Sequence, residues 1–207
     1  NIALIGMMGA LAAVLMLFRF PLPFMPPFMD FVFASLPEII GGFAMGPVAA
    51  GFIILVKVLV KLVITGTNSA FTGELQNILL SCAYVLPAVL IYDRKKTKGH
   101  AVAGMAAGTF ICAVVAIFTN LYMIIPFYVN LFGMSMDGII EMCQAVNPAI
   151  KNPFTLALFG IVPFNLIKNG VASLITYFAY KKISRQIKHF TLKAPDNGKA
   201  GGVLAGK

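Results

Sequence analysis

Three polar residues interrupt an apolar run late in the sequence, in the segment PFNLIKNG at residues 163–170. Asn165, Lys168 and Asn169 are spaced by three and four residues, so they would lie near one face of a helix. An amide offers a donor and an acceptor, whereas an ammonium offers only donors. This set could bind the polar edge of a ligand. It could instead join one helix to another, or Lys168 could pair with an acid such as Glu74.

Two lysines occupy a second apolar run. Lys57 and Lys61 are four residues apart in VKVLVKLV and would share a helix face. Because charged groups are costly inside an apolar segment, each lysine should have a counter-ion. Asp30, Glu38 and Glu74 are the candidates. We interpret the two lysines as structural or gating residues.

Several chemistries are missing from the sequence. It contains no GxxxxGK[ST] motif for nucleotide phosphates. Its two histidines and three cysteines lack the spacing of metal ligands. It also contains no recognisable pair of nucleophile and base. We therefore expect no enzymatic activity, no metal site and no cofactor.

The composition is that of an integral membrane protein. Hydrophobic residues make up 59% of the 207 residues and charged residues 11%, and the mean hydropathy is +0.90. Soluble domains contain about 25% charged residues, and a helix needs about 20 apolar residues to cross a bilayer. We predict an all-α bundle of six transmembrane helices with a proline-rich outer lid loop. The predicted spans are 2–18, 31–44, 48–64, 75–92, 101–125 and 154–180. They form one domain, residues 1–190, and we expect the polar tail at 191–207 to be disordered.

Basic residues predict the orientation. One cluster, at 94–98, follows the fourth predicted span, and another, at 181–188, follows the sixth. With six spans, both clusters and both termini lie on one side, and the positive-inside rule makes that side cytosolic. We expect a multi-pass plasma-membrane protein with cytosolic N- and C-termini. The net charge of +9 then serves topology and contact with the lipid bilayer rather than binding of nucleic acid.

On this topology the segment FPLPFMPPFMD, residues 20–30, lies on the outer side. Its four prolines oppose a helix, although most of its other residues are apolar. Apolar, non-helical backbone persists at membrane depth where protein buries it or where it lines a cavity. We interpret the segment as a lid whose Phe28 and Met29 help to cover an apolar ligand, with a passive interfacial loop as the alternative. Three further side chains could border the same outer pocket: Tyr84, Tyr128 and Asn130.

Small residues follow one side of the first predicted span. Gly6 and Ala10 are four residues apart, as are Gly9 and Ala13, and Ala3 precedes them. This spacing lets another helix approach closely. We predict that these five residues form a face on which a partner docks.

Together these features resemble the substrate-binding S components of energy-coupling factor (ECF) transporters, and among them the riboflavin-specific members. The resemblance covers about residues 2–190 and rests on the small-residue face, the proline-rich segment, GTNSAFTGELQN at 66–77 and PFNLIKNG. It implies six helices, an outward vitamin pocket covered by the loop after the first helix, and docking on a transmembrane subunit driven by two cytosolic ATPase subunits. It also implies riboflavin as the transported ligand, with Asn165, Lys168 and Asn130 as flavin contacts.

The resulting hypothesis is a membrane subunit that binds riboflavin and works with an ATP-driven ECF module. Two alternatives remain open: an S component for another vitamin, and a stand-alone secondary transporter. Secondary transporters often contain paired internal repeats with broken helices, and we find no convincing repeat in the sequence. A membrane enzyme would need the catalytic pairs that are missing.

Overall fold

The chain folds into a helical bundle. The computed structural model describes residues 2–21, 30–67, 70–133 and 135–193. Within these ranges the helices are α1 (Ile2–Leu17), α2 (Ser35–Met45), α3 (Pro47–Thr65), α4 (Thr72–Lys95), α5 (Lys98–Thr119), α6 (Ile125–Phe132), α7 (Met136–Gln144), α8 (Pro153–Leu156) and α9 (Val162–Lys193). Two-residue strands, β1 (Phe20–Pro21) and β2 (Asp30–Phe31), pair antiparallel with Phe20 opposite Phe31.

Within the described ranges, four continuous helical stretches are long and apolar enough to cross a membrane. They correspond to the third, fourth, fifth and sixth predicted spans. The largest difference is in the fifth, which continues past its predicted end because a π-helical turn at Asn120–Ile124 joins α5 to α6. The four stretches are Pro47–Thr65, Thr72–Lys95, Lys98–Leu131 and Pro153–Ala179.

The first two predicted spans are shorter than a membrane crossing. α1 has 16 residues and α2 has 11, which at 1.5 Å per residue gives about 24 Å and about 16 Å, against a hydrocarbon core of about 30 Å. The predicted span 31–44 begins instead in β2, and its helix starts only at Ser35. α2 ends at Gly46, whose φ of +96° favours glycine, and Pro47 then begins α3. Eight of the 11 residues of α2 are buried, so protein, rather than lipid, surrounds this helix.

The pair α4 and α5 makes the most extensive helix–helix contact in the described chain. Glycines of α5 allow this approach, since Gly104 and Gly108 face the α4 backbone at Ala88 and Tyr84. A Cβ added at Gly104 would lie 2.5 Å from the carbonyl oxygen of Ala88. Small residues at such positions let the backbones of two membrane helices pack closely.

A buried ion pair joins three helices at the centre of the bundle. Lys57 of α3 lies 2.5 Å from a carboxylate oxygen of Glu38 on α2, and their side chains are 1% and 0% exposed. The same ammonium donates to Asn77 Oδ1 at 2.5 Å and to Ser81 Oγ at 2.8 Å, both on α4. The prediction that Lys57 has a buried counter-ion is confirmed, and Glu38 is that counter-ion.

Candidate functional site

A cavity of about 280 Å³ lies where α1, α3, α4, α6, α9 and the π-helical turn Asn120–Ile124 meet. Its wall includes the first turns of α4 and the π-helical turn that follows α5, so it lies at the end of the bundle away from the basic connection between α4 and α5. Its volume is near the lower limit of the roughly 300–1,000 Å³ typical of small-molecule sites. Apolar groups of the wall include Leu80, Ile124, Phe127, Tyr128 and Phe164.

The α9 part of the wall carries the two residues expected to bind a ligand. Asn165 is 3% exposed, and its Nδ2 donates to the carbonyl of Ile161 at 2.9 Å. Lys168 is half-buried, and its ammonium lies 5.9 Å from the centroid of the Phe164 ring. Among the described residues this ammonium has no hydrogen bond and no ion pair. A cation without a partner is costly in such a place, so the position suits a ligand that accepts hydrogen bonds.

A further amide in the wall was missed by sequence reasoning. Asn120 lines the cavity, is 7% exposed, and donates from Nδ2 to the carbonyl of Ala116 at 2.7 Å. It begins the π-helical turn after α5, and a second π-helical turn, Ala157–Ile161, leads into α9 just before Asn165. π-helical turns change the register of a helix and are frequent at functional sites. Each turn here adjoins an amide of the cavity wall.

The α3 and α4 part of the wall contains an ion pair. Lys61 of α3 lies 2.5 Å from Oε1 of Glu74 on α4, with side chains 7% and 6% exposed. Lys61 also donates to the Gly66 carbonyl at 2.9 Å, and Thr67 Oγ1 donates to Glu74 Oε2 at 3.1 Å. The prediction that Lys61 has a counter-ion is confirmed. Glu74 forms its ion pair with Lys61. The alternative in which Lys168 pairs with Glu74 is not observed among the described residues.

Three residues singled out from the sequence lie away from this cavity. Tyr84 is 1% exposed, and its hydroxyl bonds with Ser173 Oγ at 2.8 Å and donates to the Asn169 carbonyl at 3.4 Å, joining α4 to α9. Asn169 itself is 3% exposed and is not part of the wall. Asn130 lies on the exposed side of α6. Among the described residues, Asn120 lines the cavity, whereas Asn130 and Tyr84 do not.

The lid prediction lies outside the described residues, because these leave out positions 22–29, including Phe28 and Met29. What is described of the segment is its two ends, which β1 and β2 hold together. Met16, Arg19 and Val32, from the flanks of the segment, line the cavity. Within the described ranges, no group of three or more metal-ligating side chains comes together.

The five small residues of α1 point in two directions. Gly9 and Ala13 are buried against the rest of the chain, and a Cβ at Gly9 would lie 2.5 Å from Val56 Cγ1 of α3. Ala3 is exposed, Ala10 is partly exposed, and a Cβ added at Gly6 would meet nothing within 4 Å. Ala3, Gly6 and Ala10 thus form the side of α1 that remains open to another helix.

The fold is that of a helical membrane protein with a cavity near one end of its bundle. Residues 1–180 match the family model described as "ECF transporter, substrate-specific component", and the chain belongs to that family. It is therefore a transport protein and not an enzyme.

Individual relatives match over most of the chain. The riboflavin transporter RibU of Staphylococcus aureus (strain TCH60) is 27% identical over 184 residues, covering 89% of this chain and 90% of its own. The riboflavin transporter FmnP of Bacillus subtilis (strain 168) is 25% identical over 190 residues, covering 91% and 94%. A solved structure described as "Structure and mechanism of the S component of a bacterial ECF transporter" superimposes with a TM-score of 0.69 at 27% identity, covering 90% of this chain and 96% of the other.

Proposed function

We propose that this protein binds riboflavin in the cavity and is the riboflavin-specific subunit of an ECF transporter. The observation that carries the proposal is Lys168, a half-buried ammonium without a partner in the described chain, beside the amides of Asn165 and Asn120. The similar proteins named riboflavin transporters support the choice of ligand.

The chemistry of the wall suits a flavin. An isoalloxazine ring has flat apolar faces and an edge of carbonyl and ring-nitrogen groups that both accept and donate hydrogen bonds. Phe164, Tyr128 and Leu80 supply apolar cover. Two amides and an ammonium supply the few convergent polar groups that fix orientation in such sites. Asn165 and Lys168 are the residues that we assign to the polar edge of the ring.

We extend the proposal to the parts of the fold near the cavity. α1 and α2 complete six membrane-embedded helices, and residues 20–30, with Phe28 and Met29, close the cavity as a lid. The buried surroundings of α2 support this arrangement, because a helix enclosed by protein need not have the length of a lipid-exposed one. Residues 1–190 then form the binding domain and residues 191–207 a polar tail.

The proposed orientation and partners follow from charge and from the open side of α1. The basic connection at 94–98 faces the cytosol together with both termini, so the cavity opens outward from the plasma membrane. Ala3, Gly6 and Ala10 dock on the transmembrane subunit of the ECF module, which two cytosolic ATPase subunits drive. The assignment of ATP hydrolysis to separate subunits agrees with the lack of a P-loop in this sequence.

The absorbance of the purified protein tests the ligand. Protein extracted in mild detergent from cells grown with riboflavin should be yellow and should release a flavin on denaturation. Release of a different vitamin, with no flavin, would assign the cavity to another substrate.

A further inference from the structure

The cavity wall has two parts of different chemistry. α6, α9 and the π-helical turn Asn120–Ile124 contribute aromatic rings, two amides and Lys168, whereas the end of α3 and the first turns of α4 contribute the Lys61–Glu74 ion pair, Gln76 and Asn77. The first part suits a flat ring with a polar edge. The second part is too strongly charged for the faces of such a ring, since apolar surface does not repay the desolvation of an ammonium or a carboxylate.

Resting on the function proposed above, we propose that the Lys61–Glu74 pair binds the hydroxylated side chain of the flavin and makes the site selective for ligands that carry it. A hydroxyl group donates one hydrogen bond and accepts others. A carboxylate can therefore accept hydrogen bonds from a row of hydroxyl groups, and an ammonium beside it can donate hydrogen bonds to them. Hydrogen bonds to charged groups are also stronger than those between neutral groups.

The pair is held in place by the local backbone. Lys61 reaches back to the Gly66 carbonyl, and Thr67 Oγ1 bonds both to Glu74 and to the backbone N–H of Phe71. Phe71 has a φ of +68°, a left-handed conformation that is uncommon for a residue other than glycine. These hydrogen bonds hold the two charged side chains in one geometry at the cavity, which is what selectivity requires.

The second ion pair of the same helix provides a control. Lys57 lies four residues before Lys61 in α3 and pairs with Glu38 of α2, whereas Lys61 pairs with Glu74 of α4. Both ion pairs are 2.5 Å long, and neither Lys57 nor Glu38 lines the cavity. If removing buried charge only weakens the fold, removing either ion pair should have the same effect on flavin binding. A contact with the ligand belongs only to Lys61 and Glu74.

The test compares riboflavin with lumiflavin, which has the same ring but a methyl group in place of the hydroxylated chain. The matched variants are Lys61→Met with Glu74→Gln, and Lys57→Met with Glu38→Gln, which remove both charges of a pair without leaving one unpaired. Dissociation constants come from quenching of flavin fluorescence by the purified proteins. We expect the first variant to lose riboflavin affinity roughly 10- to 100-fold, with lumiflavin affinity unchanged within about threefold. The second variant should keep the wild-type ratio of the two affinities.

The wild-type protein gives a second measurement that does not depend on a variant folding. It should bind riboflavin at least about tenfold more tightly than lumiflavin, and equal affinities would overturn the inference. Equal losses of both ligands in the Lys61 and Glu74 variant, or no loss of either, would also overturn it, because the pair would then be structural. If the wild-type protein bound no flavin at all, the proposed function would fail instead.

Discussion

Lys168 differs from Lys57 and Lys61 in the interaction partners of its ammonium group. The two lysines of α3 each lie 2.5 Å from a carboxylate, whereas Lys168, although it lines the cavity, makes no ion pair or hydrogen bond within the part of the chain that the structure describes. A neighbouring carboxylate offsets the desolvation cost of a buried cation. One that is unpaired in a cavity wall is better explained by a ligand.

Replacement of Lys168 should therefore affect binding and not folding. Lys168→Ala removes a donor to the flavin and leaves a ligand acceptor desolvated, which costs about 1–3 kcal/mol, or roughly 10- to 100-fold in affinity. The melting temperature of the ligand-free protein should stay the same or rise, because the ammonium makes no hydrogen bond or ion pair within the described residues and its 5.9 Å distance to the Phe164 ring is near the limit of a cation–π contact. Fluorescence quenching and thermal unfolding measure the two effects. Lys151→Ala, at an exposed position, is the control, and an unchanged affinity in Lys168→Ala would remove Lys168 from the site.

Asn120 and Asn130 allow a second comparison. Asn120 lines the wall and is 7% exposed, whereas Asn130 lies on the exposed side of α6. Asn120→Ala should lower riboflavin affinity by about tenfold or more, and Asn130→Ala should leave it unchanged. The same titration decides between them. A loss in Asn130→Ala alone would restore the assignment suggested by family resemblance and exclude Asn120.

At the scale of helices, the Lys57–Glu38 pair joins α2 to α3 and α4. Lys57→Met leaves the carboxylate of Glu38 buried and uncompensated, so we expect a loss of about 3–5 kcal/mol in the free energy of unfolding. The double variant with Glu38→Gln should recover most of that loss, because neither side chain is then charged. Chemical unfolding in detergent measures both. A single variant as stable as the wild type would mean that the pair does not hold these helices together.

The sequence predicts the long helices well and the details of the site in part. Apolar runs bounded by charge or glycine are enough to locate α3, α4, α5 and α9. α2 is different, since composition cannot distinguish a short helix enclosed by protein from a full crossing. The spacing of Asn165 and Lys168 marks them as a pair on one helix. Asn120 is a single amide near the end of a long apolar run, and the π-helical turn that it begins has no signal in composition.

For the molecule as a whole, one side of α1 packs within the chain and the other is open to a partner, so substitutions on the two sides should affect folding and assembly separately. Ala13 is 0% exposed and Ala10 is partly exposed. Ala10→Trp should block the approach of a partner helix, so that ATP-driven uptake with the ECF module falls while riboflavin binding by the isolated chain is unchanged. Ala13→Trp should instead overpack the chain itself, at a cost of about 1–3 kcal/mol or more, and lower the melting temperature. Normal uptake by a well-folded Ala10→Trp variant would place the docking face elsewhere.

The central claim is that this chain alone contains a riboflavin site, and equilibrium titration tests it most directly. Ligand-free protein, prepared from cells depleted of riboflavin, is titrated with riboflavin while flavin fluorescence is followed, and excess thiamine or biotin is added in parallel as a competitor. We predict saturable quenching that ends at one riboflavin per chain and is unaffected by either competitor. An absence of saturable quenching by folded protein, or displacement of the flavin by another vitamin, would contradict the account.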